Sequence, residues 1–148
     1  MYTFAPIPSW AELLSGLIAY IKKAEPLTSP WTQNEQHIAL FSNGTAILDY
    51  IVKQQAEKIK NRRPIIWLPD YFCNSAIQLI RKQDVSITFY PINYMFDPEW
   101  KACEKMVEDG CTPDIFILVH YFGREANVAR AAEFCRKTHT FLLEDAAH

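Results

Sequence analysis

The sequence has no basic run longer than Lys22-Lys23 or Arg62-Arg63, and its formal net charge is −2. That argues against a nucleic-acid or anionic-membrane surface, while leaving room for a small anionic ligand. CxxC pairs are missing too: Cys73, Cys103, Cys111 and Cys135 are scattered, each inside or beside an apolar run. A disulfide framework or zinc site is therefore not expected, and four reduced, buried thiols are. Neither GxGxxG nor GxxxxGK(S/T) occurs, so the glycine-rich loops that bring backbone close to nucleotide phosphates are absent. No stretch is long enough to span a bilayer, and Met1 to Lys23 lacks the charged leader, apolar core and cleavage site of a secretory signal. The expected location is cytoplasmic, with no membrane and no nucleic-acid partner.

What is present is a globular composition. With 148 residues, 49% of them hydrophobic and 14% aromatic, the chain has the length of one ordinary domain and enough apolar surface for a core. Trp10, Leu13, Leu14, Leu17, Ile18 and Ile21 repeat at helical spacing behind Ser9, which predicts a capped amphipathic helix over residues 9 to 23. Glu25 to Trp31 holds two prolines and reads as a connector. The division is thus an N-terminal helix and connector, 1–31, and a larger α/β part, 32–148.

In that larger part, apolar runs alternate with helix-period runs. The runs His37–Phe41, Pro64–Leu68, Ser86–Tyr90, Asp114–His120 and Thr140–Leu143 predict five strands. Thr45–Lys60, Asn74–Lys82, Pro98–Glu108 and Asn127–Lys137 predict four helices, the third capped by Asp97 with a proline in its first turn. Such alternation is the pattern of a three-layer α/β/α domain with a mostly parallel sheet covered on both faces.

Open parallel sheets bind ligands beyond the carboxyl ends of their strands, so the residues that follow each strand carry the functional question. Gly44 and Thr45, in Ser42-Asn43-Gly44-Thr45, would let the backbone turn tightly and offer helix N–H groups and a hydroxyl to a phosphate. A simple turn and cap is the plainer reading. Tyr71 and Phe72 either fill the seam between sheet and helix or form a plate for a planar ring, and Asp70 before them could cap a helix. Asp145 ends an apolar run beside Glu144, with one carboxylate for each face of the strand. It is either a helix cap or a carboxylate facing a protonated ring nitrogen. His120 and His148, both at strand ends, read more readily as hydrogen-bonding structural residues than as catalysts, and they make no metal motif.

Taken in order, these segments resemble the N-terminal portion of the DegT/DnrJ/EryC1/StrS aminotransferase family, whose members are pyridoxal-phosphate enzymes acting mostly on nucleotide-linked keto sugars. Phe41-Ser42-Asn43-Gly44-Thr45-Ala46 is similar to the family's phosphate loop. Trp67-Leu68-Pro69-Asp70-Tyr71-Phe72 resembles its proline-led turn with the ring-stacking aromatic. Val119-His120-Tyr121-Phe122-Gly123 and Leu143-Glu144-Asp145-Ala146-Ala147-His148 resemble two further strand-end segments, the last being the most specific. Gln83-Asp84 departs from the glycine common before the family's third strand.

The resemblance implies an incomplete large domain of a PLP-dependent transferase fold. Gly44 and Thr45 would then hold the cofactor phosphate, Tyr71 or Phe72 would stack on the pyridine ring, and Asp145 would pair with the pyridine nitrogen. His148 would lie near the ring hydroxyl. In this family the Schiff-base lysine lies beyond the position of Asp145, and none of the nine lysines present occupies a strand end. The resemblance therefore implies an N-terminal fragment of a PLP-dependent aminotransferase-like protein that is inert by itself, the small-molecule substrate belonging to a longer parent. The unpaired sheet edge beside Thr140–Leu143 leads us to expect self-association or a complementing chain. A non-catalytic homologue that binds a ligand or partner, and an unrelated nucleotide-binding domain, are the alternatives.

Overall fold

The computed structural model describes residues 9–21 and 38–147. The chain divides into two compact units, 1–40 and 41–148. In the first, helix α1 spans Trp10–Ile21. Ser9 and Glu12 cap it reciprocally: the Ser9 N–H donates to the Glu12 carboxylate at 2.6 Å, and the Glu12 N–H donates to the Ser9 Oγ at 3.3 Å. The predicted end of this helix at 22–23 and the connector lie outside the described residues.

The second unit holds α2 (Gly44–Ala56), β1 (Ile65–Pro69), β2 (Ser86–Tyr90), α3 (Trp100–Glu108), β3 (Ile115–Val119), α4 (Val128–Thr138) and β4 (Phe141–Asp145). The four strands are all parallel, in the order β2-β1-β3-β4. Strands β1 and β3 are central and buried on both faces, which is why they read as unbroken apolar runs. One face packs Ile66, Leu68, Ile115, Ile117 and Val119 against Leu48 and Val52 of α2 and against Ile77 and Ile80. The other packs Trp67, Tyr90, Phe116 and Leu118 against Cys103 of α3 and Ala131, Phe134 and Cys135 of α4. Helices on both faces make the three-layer α/β/α architecture.

Three predicted elements differ. Residues 38–41 are not a strand: they have no ladder partner among the described residues, and an extended segment becomes a strand only when its N–H and C=O groups are paired. Asn74–Lys82 forms turns ending in a short 3-10 segment, Ile80–Lys82, rather than an α-helix. Its two fully buried residues, Ile77 and Ile80, both pack against the sheet, and the Ala76 N–H to Cys73 and Lys82 N–H to Leu79 bonds span only three residues, so no continuous i→i+4 ladder forms. Helix α3 begins at Trp100, and Asp97 does not cap it. Instead Pro98 bridges back to Ile92, the Asn93 N–H donates to the Asp97 carbonyl at 2.8 Å, and the Asp97 carboxylate meets Arg124 at 3.3 Å.

At the amino ends of the central strands, Asp114 accepts two hydrogen bonds from Arg62, at 2.7 and 2.5 Å, and one from the Ile65 N–H at 2.8 Å. Burial acts to raise this carboxyl, and the Arg62 and Ile65 hydrogen bonds outweigh it, so Asp114 is held below the ordinary carboxylate range. A depressed folded-state value means stability that is complete above about pH 4 and is lost as pH falls through the folded-state value. We expect Asp114→Asn to destabilise the chain by about 1–2 kcal/mol at pH 7. Urea midpoints of the variant and wild type should converge as the pH is taken from 5 towards 2; a gap that stays constant would refute the assignment.

Candidate active-site crevice

Strand order reverses between β1 and β3, since the chain passes from β1 to β2 on one side and then crosses to β3 on the other. The loops that leave the carboxyl ends at such a point diverge and open a crevice. Here it contains a cavity of 410 Å³ lined by Tyr71, Phe72, Cys73, Ala76, Tyr121, Asp145 and Ala147. A second cavity of 350 Å³ runs on from it, sharing Ala76, Asp145 and Ala147 and reaching Gly44, Thr45 and Ser75. Both fall in the range of roughly 300–1,000 Å³ usual for small-molecule sites. A larger, shallower depression of 790 Å³ lies among Lys53, Arg62, Lys82, Asp84 and Val85. Its charges are of both signs and partly committed, Arg62 to Asp114 and the Gln83 amide to Asp49, so it lacks a converging donor set.

Gly44 and Thr45 open helix α2 because Asn43 adopts an extended backbone and its side chain accepts from the Ala46 N–H at 2.9 Å. That leaves the N–H groups of Gly44 and Thr45 without a partner among the described residues, at the positive end of a 13-residue helix. The tight turn expected at Gly44 is not what requires glycine, because its backbone is helical. A Cβ there would meet nothing within 4 Å, so the absent side chain leaves open approach to those amides.

Tyr71 and Phe72 follow β1 and separate in role. Phe72 is half-buried and packs against the core on the α2 face, whereas Tyr71 is 56% exposed. The Tyr71 ring contacts Phe96 and Tyr121, each with centroids 5.8 Å away. Asp70 caps no helix: its carboxylate accepts from the Ile92 N–H at 3.3 Å and its own N–H donates to the Tyr90 carbonyl at 2.9 Å, tying β1 to the exit of β2.

Asp145 is the last residue of β4 and shares a sheet face with Leu143, on the α2 side. No helix follows it among the described residues. Its Oδ1 accepts from the Ala147 N–H at 3.0 Å, closing a short turn, and the residue lines both cavities. Glu144 takes the alternate position, where its Oε2 meets the His120 Nε2 at 3.1 Å. His120 is held on its other side by the Ala126 N–H, which donates to Nδ1 at 3.1 Å. With Nδ1 accepting, Nε2 is the ring nitrogen that donates to Glu144. His120 is thus engaged in holding strand ends and lines neither cavity. His148 lies outside the described residues.

The lining also includes Tyr121 and Cys73, to which the strand-end reading assigns no role. Tyr121 lies in a strand-end segment, and its position after β3 was the available signal. Cys73 was expected to be buried and is exposed, because residues 70–76 leave the sheet before reaching the core. Its thiol is held below the usual range by the Ser75 hydroxyl 3.0 Å away, whereas burial pushes Cys103 and Cys135 up to about 12. Among the described residues no lysine lines either cavity.

The chain is similar to a solved structure from Vibrio parahaemolyticus, the glutamate decarboxylase domain of a diaminobutyrate-pyruvate transaminase and L-2,4-diaminobutyrate decarboxylase. The TM-score is 0.59 at 12% identity, covering 95% of this chain and 36% of that one. At that identity the likeness bears on the fold alone, and this chain spans about a third of the other's length. No curated protein matches the sequence. The profile of the DegT/DnrJ/EryC1/StrS aminotransferase family matches residues 22–148, most of the chain's length, and the chain belongs to that family.

Proposed function

We propose that these residues form the N-terminal part of a PLP-dependent aminotransferase-like protein. The parent reaction would be amino transfer from an amino acid such as glutamate to a keto substrate. The observation that carries the reading is the meeting of the α2 N-terminus, the Tyr71 ring and the Asp145 carboxylate around one continuous crevice. These groups match the chemistry of pyridoxal phosphate: amide donors for an anion, a ring face for a ring, and a carboxylate for a protonated nitrogen. The Gly44 and Thr45 N–H groups and the Thr45 hydroxyl would hold its phosphate. Tyr71 would lie against the ring; it is favoured over Phe72, which is committed to the core. Asp145 would hold a proton on the pyridine nitrogen. The bound ring supplies an electron sink when a bond to the amino-acid α-carbon breaks. Four free cysteines fit the reducing cytoplasm in which we place the protein.

With no lysine among the described lining residues, the 148-residue chain is expected to bind the cofactor without turning over glutamate. The same observation favours a second reading, a non-catalytic homologue that binds a ligand or partner through this crevice. Incubating the chain with pyridoxal phosphate and glutamate and following 2-oxoglutarate tests the expectation. Turnover, with borohydride fixing the cofactor to one specific lysine, would overturn it.

A further inference from the structure

Residues 70–76 carry the aromatic plate of the crevice yet form no regular element. The segment leaves the sheet at Asp70, whose N–H donates to the Tyr90 carbonyl, and makes its first tight turn where the Ala76 N–H donates to the Cys73 carbonyl at 3.0 Å. Between those points the phenol O–H of Tyr121 donates to the Tyr71 carbonyl, across the switch point between β1 and β3. The rings of Tyr71, Tyr121 and Phe96 touch one another, with Phe96 to Tyr121 at 5.3 Å. Tyr121 is 5% exposed, so a buried side chain anchors an exposed one.

We infer that Tyr121 is a positioning residue of the crevice, clamping the Tyr71 backbone so that the Tyr71 ring stands as a fixed plate for a planar ligand. The inference rests on the cofactor reading above and adds to it a residue which acts through another. Burial first, then the charges of Asp70 and Asp145, push the Tyr121 phenol above its ordinary range, so it stays a donor at neutral pH. An O–H committed to a carbonyl is a strut rather than a proton carrier.

The test compares wild type and Tyr121→Phe, which keeps the ring and removes the hydroxyl that donates to the Tyr71 carbonyl. Pyridoxamine 5′-phosphate is the probe, because it has no aldehyde to react with surface lysines. In the variant we expect about three- to tenfold weaker binding, the worth of one hydrogen bond. At saturating ligand we expect less than half the induced circular dichroism of the bound ring. Without ligand, amide exchange should quicken over residues 70–76 and stay unchanged over β1 and β3. A variant with wild-type induced dichroism, or with unchanged exchange over 70–76, overturns the positioning role. If wild type binds no pyridoxamine phosphate, the cofactor reading fails, and with it the plate. The clamp is then judged by exchange alone, faster exchange supporting it.

Discussion

Asp145→Asn is expected to weaken pyridoxamine phosphate binding by about 10- to 150-fold, the range set by losing one hydrogen bond to a charged group. Asparagine is the right probe because its Oδ1 still accepts from the Ala147 N–H, the bond that closes the turn after β4. The geometry of the strand end therefore survives while the charge is removed. A carboxylate facing the pyridine nitrogen stabilises the protonated ring, and a neutral amide does not. The bound ligand's absorbance should accordingly change towards that of the unprotonated ring as well as weaken. Thermal unfolding without ligand should be almost unchanged, because Asp145 has no cationic partner among the described residues. An affinity within twofold of wild type, or a ring spectrum that does not move, would remove Asp145 from the site.

The place of Asp145 at the end of β4, on the opposite face from Glu144, was legible in the sequence because its setting is local: an apolar run ends in two carboxylates and two alanines, and strand alternation sends the carboxylates to different faces. The four observed strands were legible for a related reason. The central strands β1 and β3, buried on both faces, leave continuous apolar runs, and the half-exposed edge strand Ser86–Tyr90 shows in its β-branched and aromatic residues, its predicted bounds matching to the residue. What escaped depends on partners distant in sequence. Residues 38–41 have strand-like composition, but pairing decides whether a strand forms. Asp97 followed by Pro98 is a sound local helix start, overridden by Arg124 and by the bridge to Ile92. The Tyr121 clamp joins residues 50 apart, and no spacing rule reaches that far.

Phe116→Ala is expected to be the most destabilising single change in the core, at about 3–5 kcal/mol. Phe116 is fully buried on the central strand β3. It stacks on Tyr90 with centroids 4.6 Å apart and contacts Trp100, Trp67 and Phe134 at 6.0, 6.2 and 5.6 Å. Those rings come from β2, α3, β1 and α4, so the truncation opens a cavity at the one point where all four elements meet. The surroundings cannot collapse into it without moving β2, since the Tyr90 hydroxyl is pinned to the Ile117 carbonyl at 2.8 Å. Net stabilities are only about 5–15 kcal/mol, so such a loss should lower the melting temperature by on the order of 10 °C or more. Trp67→Phe is the discriminating comparison. The Trp67 Nε1 makes no hydrogen bond among the described residues, so that change removes volume without breaking a polar contact and should cost clearly less. Because β3 leads directly into His120 and Tyr121, Phe116→Ala should also weaken ligand binding in parallel with its loss of folded protein, whereas Asp145→Asn separates the two. Scanning calorimetry beside ligand titration distinguishes these patterns. A Phe116→Ala chain melting within 3 °C of wild type would mean that the aromatic stack does not organise this core.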